Sequence, residues 1–256
     1  MGTNARVRID AFPESAFRYR DRCPIVCVDV ITSTTTVVTA VAQGRRIFPA
    51  GNDLDALRLA KAFPEALLAT ESAPSEAPSR FDLAMNPVAL SARADRQPLV
   101  LLDGAGTRLM ANCHPGKDVY VACLRNLSAT VDFLASRHDE VIVLAAGEGG
   151  DFRCEDKLAA ARIGRALVAR VFTTEGQGTA DIIERWGSAD VSLIGWGRSA
   201  DHLRHAGRAD VLQFILGHVD DLDVVCSYRD GEVIAVGPEK PQAAAFPSSE
   251  EREAAI

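Results

Sequence analysis

The chain has 256 residues, of which 47% are hydrophobic and 25% are charged, so it can bury a sizeable core and has the composition of an ordinary globular protein. Its formal net charge of −7 argues against nucleic acid or an anionic membrane surface as the main partner. No apolar run reaches the roughly 18 residues of a membrane span, and no secretory signal is visible. Because the six cysteines do not suggest a disulfide scaffold or a zinc signature, we expect a reduced, cytoplasmic protein.

The first regular unit is predicted to be a strand, a polar turn and a helix within residues 25–44. Four apolar residues, Ile25–Val28, precede Asp29, a block of hydroxyl residues follows at 32–36, and an apolar helical pattern then runs to Gly44. Hydroxyl groups at a helix start satisfy backbone N–H groups, and the same helix end attracts anions. Asp29 and its hydroxyl neighbours are therefore either part of a metal-assisted phosphate site or ordinary helix caps.

Strand and helix patterns alternate from residue 25 to about residue 170, after an irregular lead-in or edge strand at 1–24. Further strands are predicted at 46–49, 66–69, 98–102, 119–123 and 140–146. Helices are predicted at 53–63, from 126, at 157–171, at 180–186 and at 200–217, and a hairpin follows at 224–236. This alternation indicates an α/β fold, a three-layer α/β/α arrangement with a mainly parallel sheet. We interpret residues 1–246 as a single domain and 247–256 as a polar tail.

Polar residues or glycines follow several of the predicted strands. Asp29, Glu71 and Asp103 each lie just past the end of a strand, and a loop beginning at Gly147 follows the strongest strand. Ligands of open α/β sheets bind at the carboxyl ends of the strands. We therefore expect these side chains to meet in one acidic pocket, with Arg108 beside it.

Two further helix starts carry residues suited to phosphate or metal. The segment Gly-Ala-Gly-Thr-Arg at 104–108 combines glycines, which let the backbone approach a phosphate, with Thr107 and Arg108, which can bind its oxygens. Glu155 and Asp156 open a long helix and can ligate a hard cation such as Mg²⁺. The structural alternatives are a tight turn with a surface arginine and two carboxylates that favour the helix dipole.

Taken in order over roughly residues 25–236, these motifs resemble the 2-phosphosulfolactate phosphatase family. The family's opening motif is similar to Val28-Asp29-Val30 followed by Thr34-Thr35-Thr36. The further similarities, in chain order, are Phe81-Asp82-Leu83 with Pro87, Gly106-Thr107-Arg108, Asn126, Ala146-Gly147, Glu155-Asp156, Ser199-Ala200, Leu203, Gly207, Asp210-Val211 and Asp223-Val224-Val225. The ordered set is more specific than any one of its members.

The resemblance implies a Mg²⁺-dependent phosphatase that acts on a small anionic 2-phospho acid. It implies a catalytic role for Asp29, Glu71, Glu155 and Asp156, and metal ligation by Asp29, Glu155 and Asp156. It also implies substrate binding by Thr34, Gly106, Thr107, Arg108 and Asn126. The expected partner is the phosphorylated acid itself, without nucleic acid or membrane, and a homodimer is left open.

The chain departs from the family pattern at three positions. Thr32 and Ser72 stand where the family usually has arginines, and Ala105 stands where it has an Asn. Each lost charge-assisted contact is worth roughly 1.5–3 kcal/mol when desolvated. The departures therefore predict a rate that is lower by orders of magnitude, a substrate with fewer negative groups, or a replacement by other arginines. The candidates for replacement are Arg80, Arg125 and Arg153.

Other functions are compatible with fewer of the residues. A catalytically lapsed relative that binds a small anionic metabolite, or acts through protein contacts, would also explain the missing arginines. A phosphatase with an aspartyl-phosphate intermediate needs a second Asp two residues after Asp29, where this chain has Ile31. No cysteine precedes the glycine-rich loop and arginine of a cysteine-based phosphatase, and the five histidines form no zinc motif.

Overall fold

The computed structural model describes residues 5–71, 81–116, 118–147 and 149–237, in which eleven strands form one sheet. The strands are β1 (Arg6–Ala11), β2 (Ile25–Val28), β3 (Ile47–Ala50), β4 (Leu67–Thr70), β5 (Leu83–Ala84), β6 (Leu99–Leu102), β7 (Val119–Ala122), β8 (Glu140–Ala145), β9 (Thr173–Thr174), β10 (Val225–Arg229) and β11 (Glu232–Val236). The helices are α1 (Ala16–Tyr19), α2 (Ser33–Ala42), α3 (Asp53–Ala62), α4 (Pro87–Ala92), α5 (Gly106–Cys113), α6 (Leu127–Ala135), α7 (Cys154–Val168), α8 (Gln177–Trp186), α9 (Arg198–His205) and α10 (Ala209–Gly217).

The sheet consists of two parallel halves joined by an antiparallel hairpin. The first half-sheet contains β5, β4, β6 and β3 in that order, and the second half-sheet contains β7, β2, β8, β1 and β9. The hairpin β10–β11 lies between them, because β10 pairs antiparallel with β7 and β11 pairs antiparallel with β3. The predicted α/β fold with a mainly parallel sheet is therefore confirmed.

Helices cover both faces of the sheet. In β2, Val26 and Val28 pack in a core that includes α6 and α7, whereas Ile25 and Cys27 pack in a core that includes α2 and α5. These four side chains are fully buried because successive residues of a strand point to opposite faces. Burial on both faces explains the continuous apolar run of β2 in the sequence and produces the predicted α/β/α layers.

The sheet curls around α2 and α5, so that its two halves share one core. Leu101 on β6 belongs to the same apolar cluster as Cys27 on β2 and Leu109 on α5. In a flat sheet β6 and β2 would be five strand spacings apart, about 24 Å. The curl instead brings their carboxyl ends together: a Cβ added to Gly106, which follows β6, would lie 2.5 Å from the carboxylate of Asp29, which follows β2.

Three predictions of local structure need correction. Residues 6–11 form a strand, which was one of the two alternatives for the lead-in, but this strand pairs with both β8 and β9 and so lies next to the sheet edge and not at it. The helix predicted at 200–217 is two helices, α9 and α10, with Gly207 at a φ of 71° after α9. Helix α7 spans residues 154–168 and not 157–171, and the two carboxylates predicted to open it do lie in its first turn.

The hairpin predicted at 224–236 is confirmed. Asp230 and Gly231 both have positive φ (48° and 81°), as a two-residue turn between twisted strands requires. The polar tail predicted at 247–256 lies outside the described residues. Across the described ranges, no helix combines the length and apolar character needed to cross a bilayer.

Candidate active site

Asp29 follows β2 directly, and the hydroxyl residues after it fix its backbone. The Asp29 N–H donates to Thr34 Oγ1 (3.1 Å), and both the hydroxyl and the N–H of Thr34 donate to the Asp29 carbonyl oxygen (2.8 Å each). Thr35 and Thr36 likewise donate their hydroxyls to carbonyl oxygens of the preceding turn. Thr32, the residue that precedes α2, makes no side-chain cap hydrogen bond. The block instead holds the turn that carries Asp29.

Asp156 connects the first turn of α7 to two strand ends. Its Oδ1 accepts from the N–H of Val30 (2.9 Å), after β2, and its Oδ2 accepts from the N–H of Gly147 (3.3 Å), after β8. The side chain is buried, and burial, together with the nearby Glu155 charge, raises the pKa of Asp156 to about 8. Without a compensating cation this carboxyl group is therefore mostly protonated at neutral pH.

Asp103 and Gly106 place α5 directly against Asp29. Asp103 Oδ1 accepts from the N–H groups of Ala105 (2.8 Å) and Thr107 (3.0 Å), and Thr107 Oγ1 accepts from the Asp103 N–H (3.0 Å). A Cβ at Gly106 would lie 2.5 Å from Asp29 Oδ2, so only a glycine permits this approach without a shift. Gly106 thus allows the start of α5 to pack directly against the carboxylate of Asp29.

The carboxylates meet at a small cavity, which we call the inner pocket. Its volume is about 30 Å³, which is room for a water molecule or a small ion. Its polar and charged lining residues are Asp29, Thr32, Glu71, Asp103, Arg153, Glu155, Asp156 and Ser199. The structure therefore brings together the four carboxylates predicted to be catalytic, and the expected acidic pocket at the strand ends is present.

Burial and mutual repulsion raise the pKa values of these carboxyl groups. The pKa of Asp29 stands well above its ordinary value, first because of burial and then because of the charges of Asp156 and Asp103. Burial also raises the pKa of Glu155 and that of Asp103. Since a bound cation would favour the ionised forms, the electrostatics of the inner pocket suit a divalent metal.

The oxygen donors of the inner pocket suit Mg²⁺ in chemistry, although they do not form a ready-made metal centre. Glu155 Oε2 and Asp103 Oδ2 are buried without a hydrogen-bond partner, and carboxylate oxygens are the ligands that Mg²⁺ takes in proteins. Among the side chains that the structure describes, no group of three Asp, Glu, His or Cys is arranged to hold a metal ion. The assignment of Asp29, Glu155 and Asp156 as metal ligands therefore stays a prediction.

A larger and basic cavity, the outer pocket, adjoins the inner pocket. Its volume is about 400 Å³. The two pockets share Ile31, Thr32, Glu71, Arg153 and Ser199. The outer pocket is completed by Arg198, His202, Leu203 and Arg208. An anionic ligand in this space would therefore lie among three arginines and a histidine, with the carboxylates of the inner pocket at one end.

Helix α9 and the residues after it supply most of the outer pocket. Ala200 packs fully buried in the core, which leaves Arg198 and His202 on the exposed side of the helix. Arg208 follows the helix and donates to the carbonyl oxygens of Glu71 (3.2 Å) and Met85. This arginine thereby holds the segment after β4, which carries Glu71, against the end of α9.

Comparison with known protein families assigns the chain that carries this site to one of them. A family model described as 2-phosphosulpholactate phosphatase matches residues 10–231. The chain belongs to this family. The match includes every residue of both pockets, so the resemblance inferred from the ordered motifs is confirmed over most of the chain.

Bacterial relatives in this family are named "Probable 2-phosphosulfolactate phosphatase". The protein of Pseudothermotoga lettingae is 32% identical over 138 residues, which are 54% of this chain and 59% of that relative. The protein of Caldanaerobacter subterraneus subsp. tengcongensis is 22% identical over 215 residues, 82% of this chain and 89% of the relative. The protein of Deinococcus radiodurans is 30% identical over 168 residues, 64% of this chain and 68% of the relative.

None of the three residues of the family's Gly-Thr-Arg turn, Gly106, Thr107 and Arg108, lines either pocket. The Arg108 side chain is half exposed and lies 3.5 Å from a carboxylate oxygen of Glu14. Thr107 is fully buried, and its hydroxyl bonds to the backbone of Asp103 as described above. Their assignment to substrate binding stays a prediction, and the contacts seen here hold the turn and the surface beside it.

Thr34 and Asn126 are also buried away from the cavities. Thr34 bonds to the backbone of Asp29, so it acts on the site through the position of that carboxylate. Asn126 accepts from the Cys123 N–H (3.0 Å) and donates to two carbonyl oxygens, which ties the start of α6 to β7 and to the segment before β10. Their substrate-binding role likewise stays a prediction.

The arginines considered as replacements have different positions. Arg153 lines both pockets, beside Thr32. Arg125 instead pairs with Asp221 (2.6 Å) and donates to Thr39 (2.8 Å) outside the pockets. Arg80 and Ser72 lie outside the described residues. Thr32, which stands at the position of a family arginine, therefore lines the same two pockets as Arg153.

Sequence reasoning did not identify the basic residues that α9 and the segment after it contribute to the outer pocket. Ser199, Leu203 and Gly207 matched the family pattern, but the charged residues among them were assigned no role. Arg198 and His202 are four residues apart, which places them on one face of a helix. This spacing, with the apolar Ala200 on the opposite face of the helix, is the sequence signal from which they could have been predicted.

Proposed function

We propose that this protein is a Mg²⁺-dependent phosphatase that hydrolyses a small anionic 2-phospho acid, of the 2-phosphosulfolactate type, to the hydroxy acid and phosphate. The observation that carries the proposal is the shared wall between an acidic and a basic pocket. A phosphorylated acid needs both, because its phosphoryl group requires charge neutralisation during transfer and its acidic groups require cationic partners. Membership of the family supports the same activity.

The carboxylates of the inner pocket divide into two proposed roles. Asp29, Glu155 and Asp156 would hold the Mg²⁺ ion, which supplies charge neutralisation at the phosphoryl oxygens when bound. Glu71 lines both pockets, so it is the carboxylate at the boundary where a substrate bridging them would react. We assign to Glu71 the acid–base role.

The proposed reaction is attack by water on phosphorus, in line with the bond to the acid. The phosphorus–oxygen bond to the acid breaks, and the carboxylate of Glu71 accepts a proton from the attacking water. The leaving oxygen takes up a proton from solvent to become the hydroxyl group, and Glu71 returns its proton to solvent. Arg153, which also lines both pockets, lies where it can neutralise charge on the transferred group. The products are inorganic phosphate and the hydroxy acid.

The competing hypothesis is a catalytically lapsed relative that binds an anionic metabolite without turnover, or acts through protein contacts. It was motivated by Thr32 and Ser72 at positions of family arginines. The outer pocket weakens that motivation, because Arg153, Arg198 and Arg208 supply positive charge beside Thr32. Retention of both the carboxylates and the cations favours catalysis over binding alone.

The direct test is the release of phosphate from a panel of 2-phospho acids that includes 2-phosphosulfolactate, in Mg²⁺ and in EDTA. We expect release that Mg²⁺ stimulates, and a roughly 10²–10⁴-fold lower kcat for Asp29→Asn, because that variant loses a charged ligand of the Mg²⁺ ion, whose charge neutralisation is worth several kcal/mol. Asp181→Asn is the matched control. Asp181 is exposed on α8, where it accepts from Gln177 (2.6 Å), so we expect unchanged kcat.

Three outcomes would count against the proposal. Absence of phosphate release from every compound, with and without Mg²⁺, contradicts it. Thermal stabilisation by one of these compounds without turnover supports the lapsed relative. Full activity of Asp29→Asn, with Asp181→Asn also active, removes the inner pocket from the chemistry.

A further inference from the structure

Asp151 places one carboxylate oxygen between two arginines of the outer pocket. Its Oδ2 lies 3.3 Å from Arg198 Nη1 and 3.7 Å from Arg153 Nη1. The Asp151 side chain is 43% exposed and does not line either cavity, whereas both arginines line the outer pocket. The carboxylate therefore approaches the two guanidinium groups from outside the pocket.

The two contacts have the geometry of loose, exchangeable ion pairs. Tight charge-assisted hydrogen bonds between a guanidinium group and a carboxylate are about 2.7–2.9 Å long, and both contacts of Asp151 are longer. The Arg198 side chain is 78% exposed, so water and salt weaken its pair with Asp151. An anion that enters the outer pocket can therefore compete with Asp151 for the same two cations.

The third arginine of the outer pocket is held in a different way. Arg208 donates to the backbone carbonyl oxygens of Glu71 and Met85, so its guanidinium group is tied to the wall of the pocket. Arg153 and Arg198, in contrast, both contact a carboxylate on a short loop that includes Gly149 and Gly150, which have φ values of 57° and 79°. Arg153 and Arg198 are therefore the two cations of the outer pocket that share one carboxylate oxygen.

We propose that Asp151 is a specificity-determining residue whose carboxylate occupies an anion subsite between Arg153 and Arg198. The second anionic group of a phosphorylated acid takes over this subsite when the ligand binds. This inference rests on the proposed function for the identity of the ligand, but the existence of the subsite does not depend on turnover.

The Asp151 carboxylate in this subsite discriminates between a free inorganic anion and a ligand that carries both a phosphoryl group and a second anionic group. A free sulfate or phosphate ion must displace a carboxylate that is covalently part of the protein and is always present at high effective concentration. A ligand whose phosphoryl group is already in the inner pocket presents its second anionic group at a similarly high effective concentration. Asp151 therefore weakens binding of inorganic anions, including the product phosphate, more than binding of the substrate.

The opposite role for Asp151 predicts the opposite result. If Asp151 only positions the two arginines, its removal lets them turn away and weakens the binding of every anion. If it occupies a subsite, its removal strengthens the binding of inorganic anions. The sign of the change in affinity therefore separates the two roles.

The test measures binding of inorganic sulfate by calorimetry at low ionic strength, with Asp151→Asn compared with the unmodified protein. We expect sulfate to bind about fivefold more tightly to the variant, a size typical of an exposed ion pair, and the gain to shrink as salt increases. Asp132→Asn is the matched control. It removes one negative charge that pairs with Arg170 (2.5 Å), outside both pockets, and its sulfate affinity should not change.

A double variant shows whether the gain depends on the arginine pair. In an Arg198→Ala background, Asp151→Asn should give little or no gain in sulfate affinity, because one of the two cations is gone. Weaker or unchanged sulfate binding by Asp151→Asn alone overturns the inference, as does an equal gain with Asp132→Asn. If no phospho acid is hydrolysed, the proposed function fails, and the sulfate measurement still decides the subsite.

Discussion

The inner and outer pockets share a wall but are built in different ways. The inner pocket consists of carboxylates that directly follow β2, β4 and β6 or lie in the first turn of α7, and most of them are buried. The outer pocket takes its additional cations from a surface helix, α9, and from the residue that follows its terminal glycine. In the proposed reaction, the sheet therefore positions the groups that do the chemistry, and a helix with an exposed face supplies the groups that would recognise the acid.

The largest contrast we expect between the pockets is in their dependence on pH. In EDTA, the free energy of unfolding should fall by several kcal/mol as pH rises from about 4 to about 8. Folding raises the pKa of Asp156 from 3.8 to about 8, so in this window the folded protein holds a proton that the unfolded chain releases. The stabilising contribution is complete below the unfolded pKa and is lost as pH passes the folded pKa.

Urea unfolding at pH 5 and pH 8 measures this slope. Asp156→Asn should reduce it, since one of the titrating carboxyl groups of the inner pocket is gone, and Mg²⁺ should restore stability at pH 8. Arg198→Ala, in the outer pocket, should leave the slope unchanged. A slope that keeps its full size in Asp156→Asn would mean that Asp156 is not its source.

The next contrast is between two arginines that were both predicted from the sequence to contact the anionic substrate. Arg153 lines both pockets, and Arg108 lies at the surface near Glu14. Arg153→Ala should raise KM roughly 10- to 100-fold, because it removes a charge-assisted contact to the substrate. Arg108→Ala should raise KM much less. Steady-state kinetics on both variants, with Arg58→Ala on α3 as an exposed control, measures the difference, and a larger effect at Arg108 would reverse our placement of the phosphate.

The smallest effect concerns the packing of the inner pocket. Gly106→Ala should destabilise the protein by about 1–2 kcal/mol and lower activity, because its Cβ would lie 2.5 Å from both Asp29 and Ser33. Gly104→Ala in the same turn is the control, since a Cβ there meets no atom within 4 Å. Thermal unfolding of the two variants gives the comparison, and equal stability of both would show that α5 can move away from Asp29.

Much of the fold and of the inner pocket could be predicted from the sequence, because both depend on local pattern. The apolar run of β2 and the turn residues Asp230 and Gly231 determine strand and hairpin without knowledge of distant contacts. Asp29, Glu71 and Asp103 were predicted to converge because strand ends of α/β sheets carry ligand sites. The prediction of convergence was correct, although the curl of the sheet that makes it possible was not foreseen.

The outer pocket could not be predicted in the same way, because it depends on tertiary contacts. Arg198 and His202 have the spacing of one helix face, but only the burial of Ala200 shows which face is exposed. The position of Arg208 depends on Gly207, which separates two helices that sequence periodicity had joined. Arg108 was placed beside the pocket because it follows glycines, and the structure turns its side chain toward Glu14.

The hairpin in the middle of the sheet has a consequence for synthesis. β10 and β11 are the last strands in chain order, yet their pairs with β7 and β3 join the two half-sheets that supply Asp29 and Asp103. A nascent chain can emerge from the ribosome with every residue of both pockets and still lack this link. The two half-sheets therefore gain their strand-to-strand link only when residues 225–236 pair, so we expect the complete sheet to form late in chain order.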